Sequence, residues 1–139
     1  MKVVVDTSVW SLAIRRSDSA ENETTSELAE LINEGRVVML GSIRQELLSG
    51  IRQEEQFSSL ADHLRAFPDL VLTEDDFEEA ASCFNLCRAE GIQGANTDFL
   101  ICAVAIRNKI PIFTTDKDFV NFAKVLEIGL HRCRTEAGS

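Results

Sequence analysis

The chain has 139 residues, with 14 Lys and Arg against 23 Asp and Glu, a net charge of −9, and 45% hydrophobic and 27% charged residues. That balance describes one globular domain with a real core and excludes a disordered or fibrous chain. It also excludes a nucleic-acid binder that holds phosphates through overall positive charge, and fits a metal pocket, a small-molecule enzyme, or a local hold on nucleic acid.

No stretch reaches the length of a membrane span, and the apolar start lacks a signal-peptide cleavage pattern, so a cytoplasmic protein is expected. Cys83, Cys87, Cys102 and Cys133 show no paired metal-ligand spacing and read as reduced core residues. His63 and His131 fall away from strand ends, which leaves no histidine general base.

In chain order, Val3-Val4-Val5 reads as a strand buried on both faces, the pattern of a central parallel strand. It stops at Asp6. Thr7 and Ser8 are helix-capping residue types, and Val9, Trp10, Leu12, Ala13 and Ile14 supply the apolar face of a first helix. A polar loop spans Ser17 to Asn22. Thr24-x-x-Glu27 then has the capping-box pattern and opens a helix through Leu28, Leu31 and Ile32, which Gly35 ends.

Val37 to Leu40 is the second buried strand, and Ser42-x-x-Gln45 opens a helix carrying Glu46 in its first turn. Gln53 to Ala66 is a further helix, paired with the one before it. Leu70-Val71-Leu72 reads as a third strand, and Thr73-x-x-Asp76 caps a long helix that runs up to Gly91. The connection from Gly91 to Asn96 is glycine-rich, with too few phosphate-loop features for a Walker motif. Thr97 is the expected N-cap of an apolar helix through Ile106. Asp98 stands in its first turn, where the helix dipole favours the ionised carboxylate. Ile110 to Thr114 is the fourth strand, Asp116 follows it, a short helix passes through Phe122, and a final strand lies around Val125 to Ile128. Residues 1–133 are expected as one domain and 134–139 as a frayed tail.

Strand and helix alternate throughout, which predicts a single-domain α/β/α sandwich with a mainly parallel sheet of about five strands. In that layout Asp6, Glu46, Asp98 and Asp116 lie at the carboxyl edge of the sheet or in the helical turn after it, where open α/β sheets place their ligand sites. One such acid is ordinarily a cap or a solvated charge; four at equivalent corners make a shared pocket. Crowded carboxylates repel, so some are protonated or a cation sits among them. Ligands that are all oxygen suit Mg²⁺ or Mn²⁺ rather than Zn²⁺. Such an ion activates water and stabilises phosphoryl charge without a histidine, so metal-assisted phosphodiester hydrolysis is the chemistry this pocket suits best.

Val4-Val5-Asp6-Thr7-Ser8, Glu46 near a helix start, Asp98 to Ala103, and Pro111 to Phe119 together resemble the signature of PIN-domain ribonucleases, in particular the VapC-type toxins of toxin–antitoxin pairs. The resemblance covers nearly the whole chain. It implies a Mg²⁺- or Mn²⁺-dependent endoribonuclease in which Asp6 and Asp98 are the main metal-binding acids and Glu46 and Asp116 complete the pocket. It further implies that Ser8 and Thr115 hold the acids or the substrate, that the protein pairs with an antitoxin, and that it forms a homodimer. The family often carries a basic residue before the last acid, where this chain has Thr115. Asp118 is read as a cap for the helix behind Asp116. Apolar residues from Ser42 to Phe67, including Leu47, Leu48, Ile51, Phe57 and Leu60, exceed what one face of a small sheet needs and mark the expected dimer surface.

Two other readings compete. A receiver-like phosphoacceptor domain also gathers acids at strand ends, but it requires a third-strand acid close behind Leu70-Val71-Leu72 and more than one acid after the first strand. A non-catalytic PIN-like binding module keeps the fold without the chemistry, and the presence of all four acids weighs against it.

Overall fold

The computed structural model describes residues 1–15 and 22–134. The expected loop from Ser17 lies outside the described residues apart from Asn22, as do residues 135–139 of the expected tail. The elements are β1 (Val3–Val5), α1 (Thr7–Arg15), α2 (Glu23–Asn33), β2 (Val37–Val38), α3 (Gly41–Leu48), α4 (Glu54–Leu64), α5 (Glu74–Ala89), α6 (Asn96–Asn108), β3 (Ile112–Phe113) and α7 (Asp118–Phe122).

The three strands pair in parallel in the order β2-β1-β3, with Val3 opposite Val37 and Val5 opposite Phe113. Successive strand residues point to opposite faces, and Val3, Val4 and Val5 are all fully buried, so both faces of β1 are covered. Helix α6 lies on β1 and β3, with α5 packed along it; α1 packs against α2 and α3 and belongs to the opposite layer. The result is the α/β sandwich the alternation predicts.

The sheet is narrower than the five strands expected. Single parallel bridges, Met39 with Asp69 and Ile112 with Leu130, stand where the outer strands were placed. In the 70–72 stretch the Leu70 N–H reaches Met39 O, but Val71 is 84% exposed, so nothing covers the outer face of that segment. Around 125–128 the N–H groups of Val125 and Leu126 turn back to Phe122 O, and the chain joins β3 two residues later, where His131 N–H meets Ile112 O at 2.8 Å.

Helix starts explain the remaining differences. Thr73 N–H donates to Asp76 Oδ2 at 2.8 Å, the expected box. Helix α2 is instead capped by Asn22, whose side chain accepts from Thr25 N–H; Asn is the stronger cap, and Glu27 turns inward on the face that carries Leu28 and Leu31. Helix α3 begins at Gly41 directly behind buried Leu40, so Ser42 lies inside it and Glu46 falls in its last turn rather than its first. Ala95, not Thr97, precedes α6.

Candidate active site

The end of β1 is tied to the end of β3. Asp6 is 4% exposed; its N–H donates to Phe113 O at 2.9 Å, and its Oδ2 accepts the hydroxyls of Ser8 at 2.7 Å and Thr114 at 2.8 Å. Thr114 Oγ1 in turn accepts Asp116 N–H at 3.0 Å, and Thr115 N–H donates to Ser8 Oγ at 3.0 Å. Thr115 thus enters through its backbone. The hydroxyl that joins Asp6 to the Asp116 corner belongs to Thr114, which sequence reading missed. Its signal is the sheet register: with Val5 opposite Phe113, the next residue on each strand is Asp6 and Thr114.

The other acids are held in the same manner. Glu46, exposed at the end of α3, accepts the Thr7 hydroxyl on Oε1 at 3.0 Å. Asp98, half-buried in the first turn of α6, accepts Ala95 N–H on Oδ2 at 3.2 Å. Asp116 accepts Asp118 N–H on Oδ1 at 2.9 Å; α7 follows Lys117 as its N-cap, and Asp118 is its first residue rather than the expected cap. Each of the four carboxylates therefore has one oxygen fixed by a protein donor, and among the described residues the other oxygen makes no hydrogen bond.

Burial pushes the Asp98 carboxyl above its ordinary range. Ala95 N–H pulls it back, and the negative fields of Asp6, Asp116 and Glu46 push it up again. The expectation that the α6 dipole would favour ionised Asp98 fails on this balance: one N–H at a helix start is outweighed by desolvation and three like charges. Asp6, Asp116 and Glu46 thus each lie close enough to Asp98 to act on its carboxyl.

Among the described residues no three Asp, Glu, His or Cys side chains form a ready-made ligand group. The fit to a cation rests instead on donor chemistry and charge. The remaining oxygens come from four carboxylates, three of whose negative charges act on the fourth, Asp98, which is the kind of crowding a hard divalent ion relieves. Cys83, Cys87 and Cys102 are buried free thiols behind the site, and burial pushes Cys83 up to about 11 and Cys102 higher still. They are core residues.

The PIN domain model matches residues 3–125, from the first residue of β1 to just beyond α7. The chain belongs to the PIN-domain family. PIN domains are generally nucleases that use divalent metal ions. Solved structures of similar fold include VapBC2 from Rickettsia felis bound to a DNA fragment from its promoter, with TM-score 0.75 and 18% identity over 94% of this chain and 98% of that one. FitAcB from Neisseria gonorrhoeae has TM-score 0.74 and 19% identity over 95% and 98%. A toxin–antitoxin complex from Klebsiella pneumoniae has TM-score 0.62 and 16% identity over 85% and 90%. At these identities the likeness is one of fold. No curated protein matches the chain. Among the described residues no helix of this PIN domain is long and apolar enough to cross a membrane.

Proposed function

We propose that this PIN domain, residues 1–133, is a Mg²⁺- or Mn²⁺-dependent endoribonuclease and the toxin of a toxin–antitoxin pair. The observation that carries the reading is the gathering of Asp6, Glu46 and Asp116 around Asp98, each acid presenting one oxygen that no protein donor occupies among the described residues. Asp6 and Asp98 hold the ion, with Glu46 and Asp116 completing the pocket. When bound, the ion supplies activation of water and stabilisation of charge on the phosphoryl oxygens. Ser8 and Thr114 keep Asp6 oriented, Thr7 keeps Glu46, and the Ala95 N–H keeps Asp98. Water adds to phosphorus as the bond to the leaving oxygen breaks. The attacking water gives up a proton and the leaving oxygen takes one up, so the acids need keep neither.

The similar structure from Klebsiella pneumoniae is a toxin–antitoxin complex, which supports an antitoxin partner for this chain. A basic antitoxin segment complements a pocket of four carboxylates and a chain of net charge −9. Phe57, 42% exposed on α4, supports a homodimer through the 42–67 region, although Leu47 there is buried and Leu48 and Leu60 pack on the core. The test is cleavage of an RNA pool in Mg²⁺, in Mn²⁺ and in EDTA. Cleavage with either ion and none in EDTA is expected; undiminished cleavage in EDTA overturns the metal reading, and binding without cleavage selects the binding module instead.

A further inference from the structure

The glycine-rich connection between α5 and α6 is not needed to explain the acids beyond the single N–H of Ala95, yet it is tightly built. Gly94 lies so close to the aromatic core that a Cβ there would sit 2.5 Å from Phe122 Cζ and 3.0 Å from Phe99 Cε2. Only glycine lets the backbone lie this flat. The loop, Phe84 and Arg88 of α5, and Phe99 of α6 enclose a pocket of about 170 Å³. Its floor is buried Phe99, which Phe84 meets edge-on with ring centroids 5.5 Å apart. Its rim is polar: Gln93 and Arg88 are both exposed.

The pocket is continuous with the acids through the backbone. Gly94 precedes the residue whose N–H holds Asp98, and Phe99 follows Asp98. Arg88 places a positive charge at that rim; Arg15, Arg52 and Arg132 likewise show no carboxylate partner among the described residues, but none of them lines the pocket. Arg36, Arg44, Arg65, Arg107 and Arg134 each pair with a carboxylate. Among the described residues Arg88 has no carboxylate partner, and its guanidinium stands 5.9 Å from the centre of the Phe84 ring.

We propose that this pocket is a nucleotide subsite that seats one unpaired base of the RNA beside the cleaved phosphodiester. An aromatic wall and floor take the face of a base, an amide offers a donor and an acceptor to its edge, and a guanidinium takes the adjoining phosphate. A protein of net charge −9 cannot gain RNA affinity from its overall field, so the hold must be local, and Arg88 supplies it at a built pocket. The inference rests on the ribonuclease reading above.

The experiment measures binding of a 2′-O-methyl RNA oligonucleotide in EDTA, where no cleavage intrudes, together with cleavage kinetics of unmodified RNA. Arg88→Ala is expected to weaken binding about tenfold, to lower the salt slope by about one phosphate contact, and to raise KM. Arg88→Lys is expected to recover part of the loss, as a charge without the planar fork. Gln93→Ala is expected to relax the base preference at one position next to the cut. If wild-type protein cleaves RNA while both Ala variants bind, cleave and select bases as wild type does, the subsite is overturned and the ribonuclease reading stands. If wild-type protein cleaves no RNA but binds the oligonucleotide through Arg88, the subsite stands and the enzymatic reading falls.

Discussion

Two carboxylates in this protein share a chemical type and a withdrawal from water, and their neighbours drive them in opposite directions. Glu27 of α2 is 4% exposed. Burial alone would push it up, but His131 Nε2–H at 2.6 Å and the Arg134 guanidinium at 3.2 Å outweigh that and hold it below its ordinary value. Arg134 also reaches Glu34 at 2.7 Å, which fastens the end of the described chain to α2. Among the described residues no ion pair reaches Asp98, and the charges of Asp6, Asp116 and Glu46 act on it, so burial and repulsion together hold it up. A compensated acid holds the fold together; an uncompensated one is poised to take a cation from outside.

The largest expected effect breaks the uncompensated cluster. Asp6→Asn and Asp98→Asn keep the side-chain volume and remove a negative ligand, so RNA cleavage is expected to fall at least about 100-fold while the fold is retained. Full activity in both variants, read by gel assay beside circular dichroism, would put the active site elsewhere. Next comes the compensated acid. Glu27→Ala strips the partners from a buried site and is expected to cost about 2–3 kcal/mol of stability, less than a fully buried pair because Arg134 can turn to solvent. Urea midpoints measure it, and cleavage per folded molecule is expected to stay at the wild-type level. A variant as stable as wild type would sink the account of Glu27 as a structural latch.

The comparison sharpens with pH, because the two signs differ. Glu27 has a lowered folded value, so its contribution is present above the ordinary carboxyl range and is lost as pH falls through the lowered value. The penalty of Glu27→Gln is therefore expected to shrink in acid. Asp98 has a raised folded value, so the native state loses stability as pH climbs from the ordinary Asp range through the raised one. The advantage of Asp98→Asn is expected to be absent in acid and full at neutral pH in metal-free protein. Unfolding free energies of both variants across that range test it; parallel slopes would refute the contrast. A smaller effect is expected from Thr114→Val, which keeps the branched shape but removes the hydroxyl between Asp6 and Asp116 N–H. Activity is expected to fall about tenfold and stability by about 1 kcal/mol. Asp118→Asn, whose side chain makes no hydrogen bond among the described residues, is the control and is expected to change either by less than about twofold.

What the sequence by itself determined is local or periodic. Three consecutive valines announce the central strand because burial on both faces tolerates nothing polar, and an acid directly after a buried strand announces the corner of an α/β sheet. Asp6 stands at such a corner directly after β1, Asp116 lies three residues past β3, and Asp98 was read from its place in the first turn of a helix; the Thr73–Asp76 box was legible from capping chemistry. Tertiary structure alone decided what depends on partners distant in the chain. The register of β1 against β3 chose Thr114 over Thr115, and inward packing of α2 turned Glu27 from a cap into half of an ion pair with residues more than a hundred positions away. No layer covers Val71, and the 70–72 segment is left with a single bridge at Asp69, while the N–H groups of Val125 and Leu126 turn back to Phe122 and leave a single bridge at Leu130. The upward shift of Asp98 was beyond any local rule: a helix start favours the anion, but the carboxyl also feels burial and three acids distant in the chain.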